Sequence, residues 1–243
     1  MIKFFRKIRQ KLITENKVSK YLLYAIGEIL LVMIGILLAL QVNNWNEKNK
    51  KEDIQLTQLS DLKTEIESMQ DFLKIHTNAL ETSKKGNESL LKLMRPDAIL
   101  TISPDSIHRL LATTLNTDLV TADRLTFETQ VDFELIQKQK HAQLINSLLN
   151  WNHFTGKISA DYALIEANRE DDLNNVLIDA GIPGWIIFFD KPKAVKFPVN
   201  YESFIRNKEI YAVFLYRYKR LQFLIHDLKG GLTQLDEMLS EIK

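Results

Sequence analysis

The sequence predicts an all-α fold: an N-terminal single transmembrane helix followed by an antiparallel, coiled-coil-like helical bundle. Three observations predict it. One apolar run, KYLLYAIGEILLVMIGILLALQVNNW from Lys20 to Trp45, has the length of a bilayer. Two later stretches carry apolar residues at heptad spacing. Helix breakers are scarce, with 8 Gly and 5 Pro in 243 residues, while Leu, Lys, Glu and Gln, all good helix formers, abound. The expected organisation is a cytoplasmic basic amphipathic segment over 1–19, a transmembrane helix acting as signal anchor over 20–45, and a periplasmic helical domain over 46–243.

The opening MIKFFRKIRQKLI puts Phe5, Ile8 and Leu12 on one helical face among basic residues. It reads equally as an interfacial helix on anionic lipid or as a bare topology signal. In Leu22–Val42, 13 residues are Leu, Ile or Val. At roughly −0.3 to −0.6 kcal/mol each they outweigh one carboxylate, Glu28, costing about 3 kcal/mol near mid-span. Tyr21 and Trp45 fit as interfacial anchors. Seven basic residues precede the span (Lys3, Arg6, Lys7, Arg9, Lys11, Lys17, Lys20), and three (Lys48, Lys50, Lys51) lie in the 20 residues after it. That asymmetry puts the N-terminus in the cytoplasm and the bulk of the chain in the periplasm of a Gram-negative cell. The run is too long, and too far from the start, for a cleaved signal peptide, and no small-x-small site follows it.

Beyond a polar collar, Leu59, Leu62, Ile66, Met69, Leu73, His76 and Leu80 repeat at gaps of 3 and 4, a heptad seam. This helix is expected to weaken near Gly86 and to end by Pro96. Ser103-Pro104-Asp105 opens a second helix, with Ser103 as cap, and another is expected from Thr121. Asp132 to Ile136 reads as a connector. Leu144, Leu148, Trp151, Ile158, Tyr162, Ile165, Leu173 and Val176 mark one or two helices between Lys138 and Asp179, ended by Gly181-Ile182-Pro183-Gly184. WIIFFDKPKAVKFPVNY, Trp185 to Tyr201, reads as a buried loop or short strand, or as a hydrophobic contact with a partner or the bilayer surface. Asn200 caps the last helical region. Its seam runs through Phe214, Arg217, Leu221, Leu224, Leu228, Leu235, Met238 and Ile242, with Gly230-Gly231 as a kink site. This helix is expected to pack antiparallel on Ile54–Met94, since each seam needs a cover; a homo-oligomer is the alternative cover.

The stretch Met1–Glu47 carries FRKIRQKL, ENK, KYLLYAIGEI and ALQVNNWNE. In these motifs it resembles the N-terminal signature of a family of uncharacterised single-pass bacterial inner-membrane proteins of unknown function. About a fifth of the chain carries the resemblance. A middle segment that in the family reads as a Tyr-x-x-Leu helix and a Gly turn is here Thr126–Asp132, without the Gly. The resemblance implies a single-pass inner-membrane protein with no assigned activity and no catalytic residues.

Charge and chemistry narrow the function. Lys+Arg number 32 against 31 Asp+Glu, which gives no electrostatic reason to expect nucleic acid. The chain has no cysteine, which excludes disulfides, thiolate nucleophiles and Cys-based zinc sites. His76, His108, His141, His153 and His226 show no HExxH-type spacing, and no G-x-S-x-G or phosphate-binding loop is present. No enzyme activity, cofactor or metal is expected. Asn87-Glu88-Ser89 matches a glycosylation acceptor only in its three letters. YAVFLYRYKR offers Arg217 and Arg220 as contacts for an anion or a partner, or as partners of acidic neighbours within the bundle.

Glu28 is the remaining candidate. On a helix Tyr24, Glu28, Val32, Gly35 and Ala39 share a face, and Gly35 with Ala39 forms a small-xxx-small step. Three readings are open: a contact in a homo-oligomer or larger complex, snorkelling towards the headgroups, and proton carriage in an ion-coupled complex. The expected partners are the lipid bilayer and either further copies of the chain or other membrane and envelope proteins. The expected function is a membrane-anchored helical interaction or scaffold protein. The alternatives are a sensor or regulatory protein acting through a partner, and an accessory subunit of an ion-coupled membrane complex using Glu28.

Overall fold

The computed structural model describes residues 18–98, 102–115, 122–129, 132, 141–182 and 200–242. Among the described residues there is no strand. The helices are α1 (Val18–Leu93), α2 (Pro104–Leu115), α3 (Ala142–Ala167), α4 (Asn174–Asp179), α5 (Tyr201–Arg206) and α6 (Lys208–Glu241). A 3-10 turn covers Ala122–Leu125, and a π turn, Asn168–Leu173, joins α3 to α4. The fold is all-α, as the seams predict. Phe5, Ile8 and Leu12 lie outside the described residues, and so does 185–199.

The chain divides into two compact units, Met1–Thr57 and Gln58–Lys243. In the first, α1 presents its apolar side chains outward: Leu23 is 76% exposed and Leu37 58%. An 18-residue window has a mean hydropathy of 2.5, and none of it is buried. This is one helix long and apolar enough to cross a membrane. Past Val42 the surface turns polar. Asn43 Nδ2 donates to Glu47 Oε1 at 3.1 Å, and Lys48 and Glu52 pair one turn apart at 3.7 Å.

In the second unit the remainder of α1 pairs with α6. Gln70 Nε2 donates to Asp236 Oδ1 at 2.6 Å, and Lys229 Nζ to Glu81 Oε1 at 2.6 Å. Numbers rise on one helix as they fall on the other, so the pair is antiparallel. Every predicted seam residue from Leu59 to Leu80 is buried except His76, which is half-buried with its ring 4.3 Å from that of Phe72. On α6 the seam from Phe214 to Met238 is buried throughout, Arg217 included.

α3 adds a third helix, antiparallel to α6. Lys157 Nζ meets Asp227 Oδ2 at 2.8 Å. Trp151 anchors it: fully buried, with its Nε1 donating to the Leu125 carbonyl at 2.7 Å and its ring 4.7 Å from Phe154 and 5.7 Å from Phe127. A buried indole needs an acceptor, and the 3-10 turn supplies it. Glu65 holds the loop after that turn by accepting from Thr129 N at 2.9 Å and Thr129 Oγ1 at 2.6 Å. In place of the helix expected from Thr121, the described residues there form only this single turn.

Two apolar cores result. The first gathers Leu59–Leu80 of α1, Leu144–Ile165 of α3 and Leu221–Met238 of α6. The second gathers Leu90 and Met94, Ile107–Leu115 of α2, Leu173, Leu177 and Ile182, Phe204 and Ile205 of α5, and Ile210 and Phe214 of α6. Each such side chain removed from water contributes about 1.5–3 kcal/mol.

The glycines behave unlike the expectation of weak points. α1 runs unbroken through Gly86, where an added Cβ would lie 2.8 Å from Thr114 Oγ1. α6 runs unbroken through Gly230 and Gly231, and a Cβ on Gly231 would lie 2.3 Å from the tip of the Phe154 ring. Packing against a neighbour, not a break, accounts for Gly86 and Gly231. Capping follows the sequence. Ser103 Oγ accepts from Ser106 N at 3.3 Å, Asn200 Oδ1 from Ser203 N at 3.0 Å, and Asn207 Oδ1 from Glu209 N at 2.8 Å. Gly181 closes α4 with φ of 74°.

Candidate functional site

Two places carry the residues singled out in the sequence. The first is the apolar part of α1. Tyr24, Glu28, Val32, Gly35 and Ala39 all lie on this helix. Tyr24 and Glu28, one turn apart, are half-buried, whereas Val32 and Ala39 are exposed. A Cβ added to Gly35 would meet nothing within 4 Å, so the helix surface there is open to close approach. Trp45 is 66% exposed. Tyr21 lies in the same helix.

The second is a polar belt that separates the two cores. Buried polar residues stand between the apolar stretches: Ser83 and Asn87 on α1 between Leu80 and Leu90, Asn168 of the π turn between Ile165 and Leu173, and Arg217 on α6 between Phe214 and Leu221. Arg217 is fully buried. Its Nε and Nη2 donate to the Thr114 carbonyl at 3.4 and 3.3 Å, and its Nη1 to the Ile165 carbonyl at 3.5 Å. Ser83 Oγ donates to the same Thr114 carbonyl at 2.5 Å. Three helices therefore meet on one carbonyl oxygen.

The electrostatics explain how a cation stays there. Thr114 lies in the last turn of α2, where carbonyls lack intrahelical donors and the helix dipole is negative. Both features favour a guanidinium. Burial still pushes the Arg217 pKa down to about 10, Arg169 nearby pushes the same way, and Glu166 opposes them. At neutral pH Arg217 remains charged. Glu166 and Arg169 pair across one turn, and Asn168 Nδ2 donates to Asp172 Oδ2 at 3.1 Å. Asn168, Arg169 and Asp172 sit in the π turn and Glu166 just before it, a feature that loosens the helical ladder and is frequent at functional positions. Asn87 is fully buried, and neither of its amide atoms has a hydrogen-bond partner among the described residues. A glycan on Asn87 is thus incompatible with the folded unit.

The structure separates the two arginines that the sequence grouped. Arg217 points inward. Arg220 Nε donates to Tyr216 Oη at 3.0 Å, and its guanidinium lies 5.1 Å from the Tyr216 ring centre. Outside the belt, Asp161 faces the Lys157–Asp227 pair from one turn further along α3. Burial and the Asp227 charge hold its carboxyl above the ordinary value of 3.8. Among the described residues no three His, Asp or Glu side chains converge as a metal site would require. Sequence reasoning overlooked Glu65, Ser83 and Thr114. None belongs to a motif, and only the spatial meeting of distant helices gives them a role.

A family of unknown function (DUF6090) matches residues 28–120. The match starts at Glu28 and takes in the apolar run from there on, the α1 seam and α2. No curated protein and no solved structure matches the chain.

Proposed function

We propose that this chain is a membrane-anchored, non-catalytic helical interaction module. In this reading α1 crosses the inner membrane of a Gram-negative bacterium with the N-terminus in the cytoplasm and residues 46–243 in the periplasm. The span associates with further copies or with another envelope protein through Tyr24, Glu28, Val32, Gly35 and Ala39. The observation that carries the reading is the 18-residue window of mean hydropathy 2.5, none of it buried. So much apolar surface needs a cover, and lipid supplies one at this length. The open surface at Gly35 supports helix association on the Glu28 face, because small residues let two backbones approach closely.

Cysteine crosslinking in native membranes tests the association, and the absence of any native cysteine leaves the introduced thiol alone. Gly35→Cys is expected to give a disulfide-linked dimer on mild oxidation, several-fold more than Leu37→Cys on the opposite face. Equal yields, or monomer throughout, would remove the self-association reading. Accessibility of cysteines introduced at exposed positions 48 and 219 to an impermeant thiol reagent in intact spheroplasts tests the orientation; both are expected to react without lysis.

A further inference from the structure

The turn that leaves α1 folds over the start of α6. Arg206 draws it there: its Nη1 donates to the carbonyls of Arg95 at 3.0 Å and Pro96 at 3.3 Å, and its Nη2 to that of Ala98 at 2.9 Å. Between turn and helix lies a cleft of about 530 Å³, lined by Met94, Arg95, Pro96, Arg206, Lys208 and Tyr211, with Asn207 at its edge. This volume falls in the range of small-molecule sites, about 300–1,000 Å³.

The charge of the lining is one-sided. Among the described residues three cationic side chains border the cleft, and no carboxylate does. Arg95 and Lys208 stand in no ion pair among the described residues. Arg206 spends its donors on neutral carbonyls, so its charge is not cancelled. The nearest acids in sequence, Asp97 and Glu209, are exposed and do not line the cleft. Asn207 Oδ1 is already occupied by Glu209 N and Ile210 N and is no acceptor for a cation. The floor is apolar: Met94 is buried, and Pro96 and Tyr211 flank it. Another cleft of comparable size, about 450 Å³ between α1 and the 3-10 turn, mixes Arg124 with Glu65 and Glu128 and has no such preference.

We infer that the cleft at the start of α6 binds a small organic anion, a phosphate or carboxylate carried on an apolar or aromatic body. The head sits between Arg95 and Lys208, where charge-assisted hydrogen bonds are strongest. The body lies on Met94, Pro96 and Tyr211. This inference is independent of anchoring and self-association.

The test is calorimetric titration of the full chain, in nanodiscs of phosphatidylcholine, with phenyl phosphate. Benzyl alcohol serves as the neutral ring and inorganic phosphate as the bare head. Phenyl phosphate is expected to bind saturably, one molecule per chain, and at least about tenfold tighter than either control. The double variant Arg95→Gln/Lys208→Gln is expected to weaken it by about tenfold or more with an unchanged melting temperature, since both side chains are exposed. Tyr211→Ala is expected to weaken phenyl phosphate but not inorganic phosphate. Absence of saturable binding, equal affinity for benzyl alcohol, or an unaltered double variant would each overturn the inference.

Discussion

Arg217 shows how a residue's phase along a helix outweighs its chemical type. Its neighbours YAVFLYRYKR read as a basic aromatic surface, but it stands three residues after Phe214 and four before Leu221, both fully buried. That spacing was legible in the sequence; the carbonyls of Thr114 and Ile165 that receive it were not, because they lie 103 and 52 residues away. Those carbonyls have other donors: Ser83 Oγ serves Thr114, and Asn168 N serves Ile165. Removing the guanidinium therefore strands neither of these two carbonyls. Arg217→Met, which keeps the volume, is expected to change unfolding free energy by no more than about 1 kcal/mol. Arg217→Ala, which leaves a cavity, is expected to cost about 2–4 kcal/mol. Urea unfolding followed by circular dichroism separates the two outcomes. Asp161 gives a pH signature. Its folded pKa is raised, so the folded state binds the proton more tightly than the unfolded chain. Its contribution is present below the ordinary carboxyl range and is lost as pH rises through the raised value. Asp161→Asn is accordingly expected to melt above the parent at pH 7, with the gap closing below about pH 4.

At the scale of elements, the long helices were the legible part. Seams of apolar residues at gaps of 3 and 4 specify α1, α3 and α6, because each needs a partner face and the three supply one another. The short pieces were not legible. The 3-10 turn exists to offer its carbonyl to Trp151, and the π turn fits Asn168 and Arg169 beside Arg217; neither requirement is visible in local sequence. The Gly230-Gly231 pair divides the same way. Gly230 is open on its outer face, whereas Gly231 receives the Phe154 ring. Gly230→Ala is expected to stabilise by about 0.5–1 kcal/mol through helix propensity. Gly231→Ala is expected to destabilise by about 1–3 kcal/mol through overpacking. Thermal unfolding of the two single variants, compared side by side, checks this.

For the whole molecule, the division after Thr57 leaves the second unit with both apolar cores and the belt between them. A chain beginning at Gln58 is expected to be soluble, helical and cooperatively folded without detergent. Analytical ultracentrifugation and a single sharp thermal transition would establish this; aggregation or a gradual melt would refute it. The full chain, by contrast, is expected to resist alkaline extraction from membranes, and substitution of Leu30 and Ile34 by Lys to abolish that resistance, because each charge near mid-span costs about 3 kcal/mol.

The antiparallel pairing of α1 with α6 sets a schedule for synthesis. Gln70 and Asp236, which bond directly, are separated by 166 positions in the chain. At about 5–20 residues per second, the ribosome needs roughly ten to thirty seconds to deliver the second after the first. Throughout that interval Leu59, Leu62, Ile66 and Leu73 have no α6 to lie against, and they are exposed to any holdase, lipid surface or sister nascent chain that reaches them first. A slow codon run late in the message would lengthen that exposure without altering a single native contact.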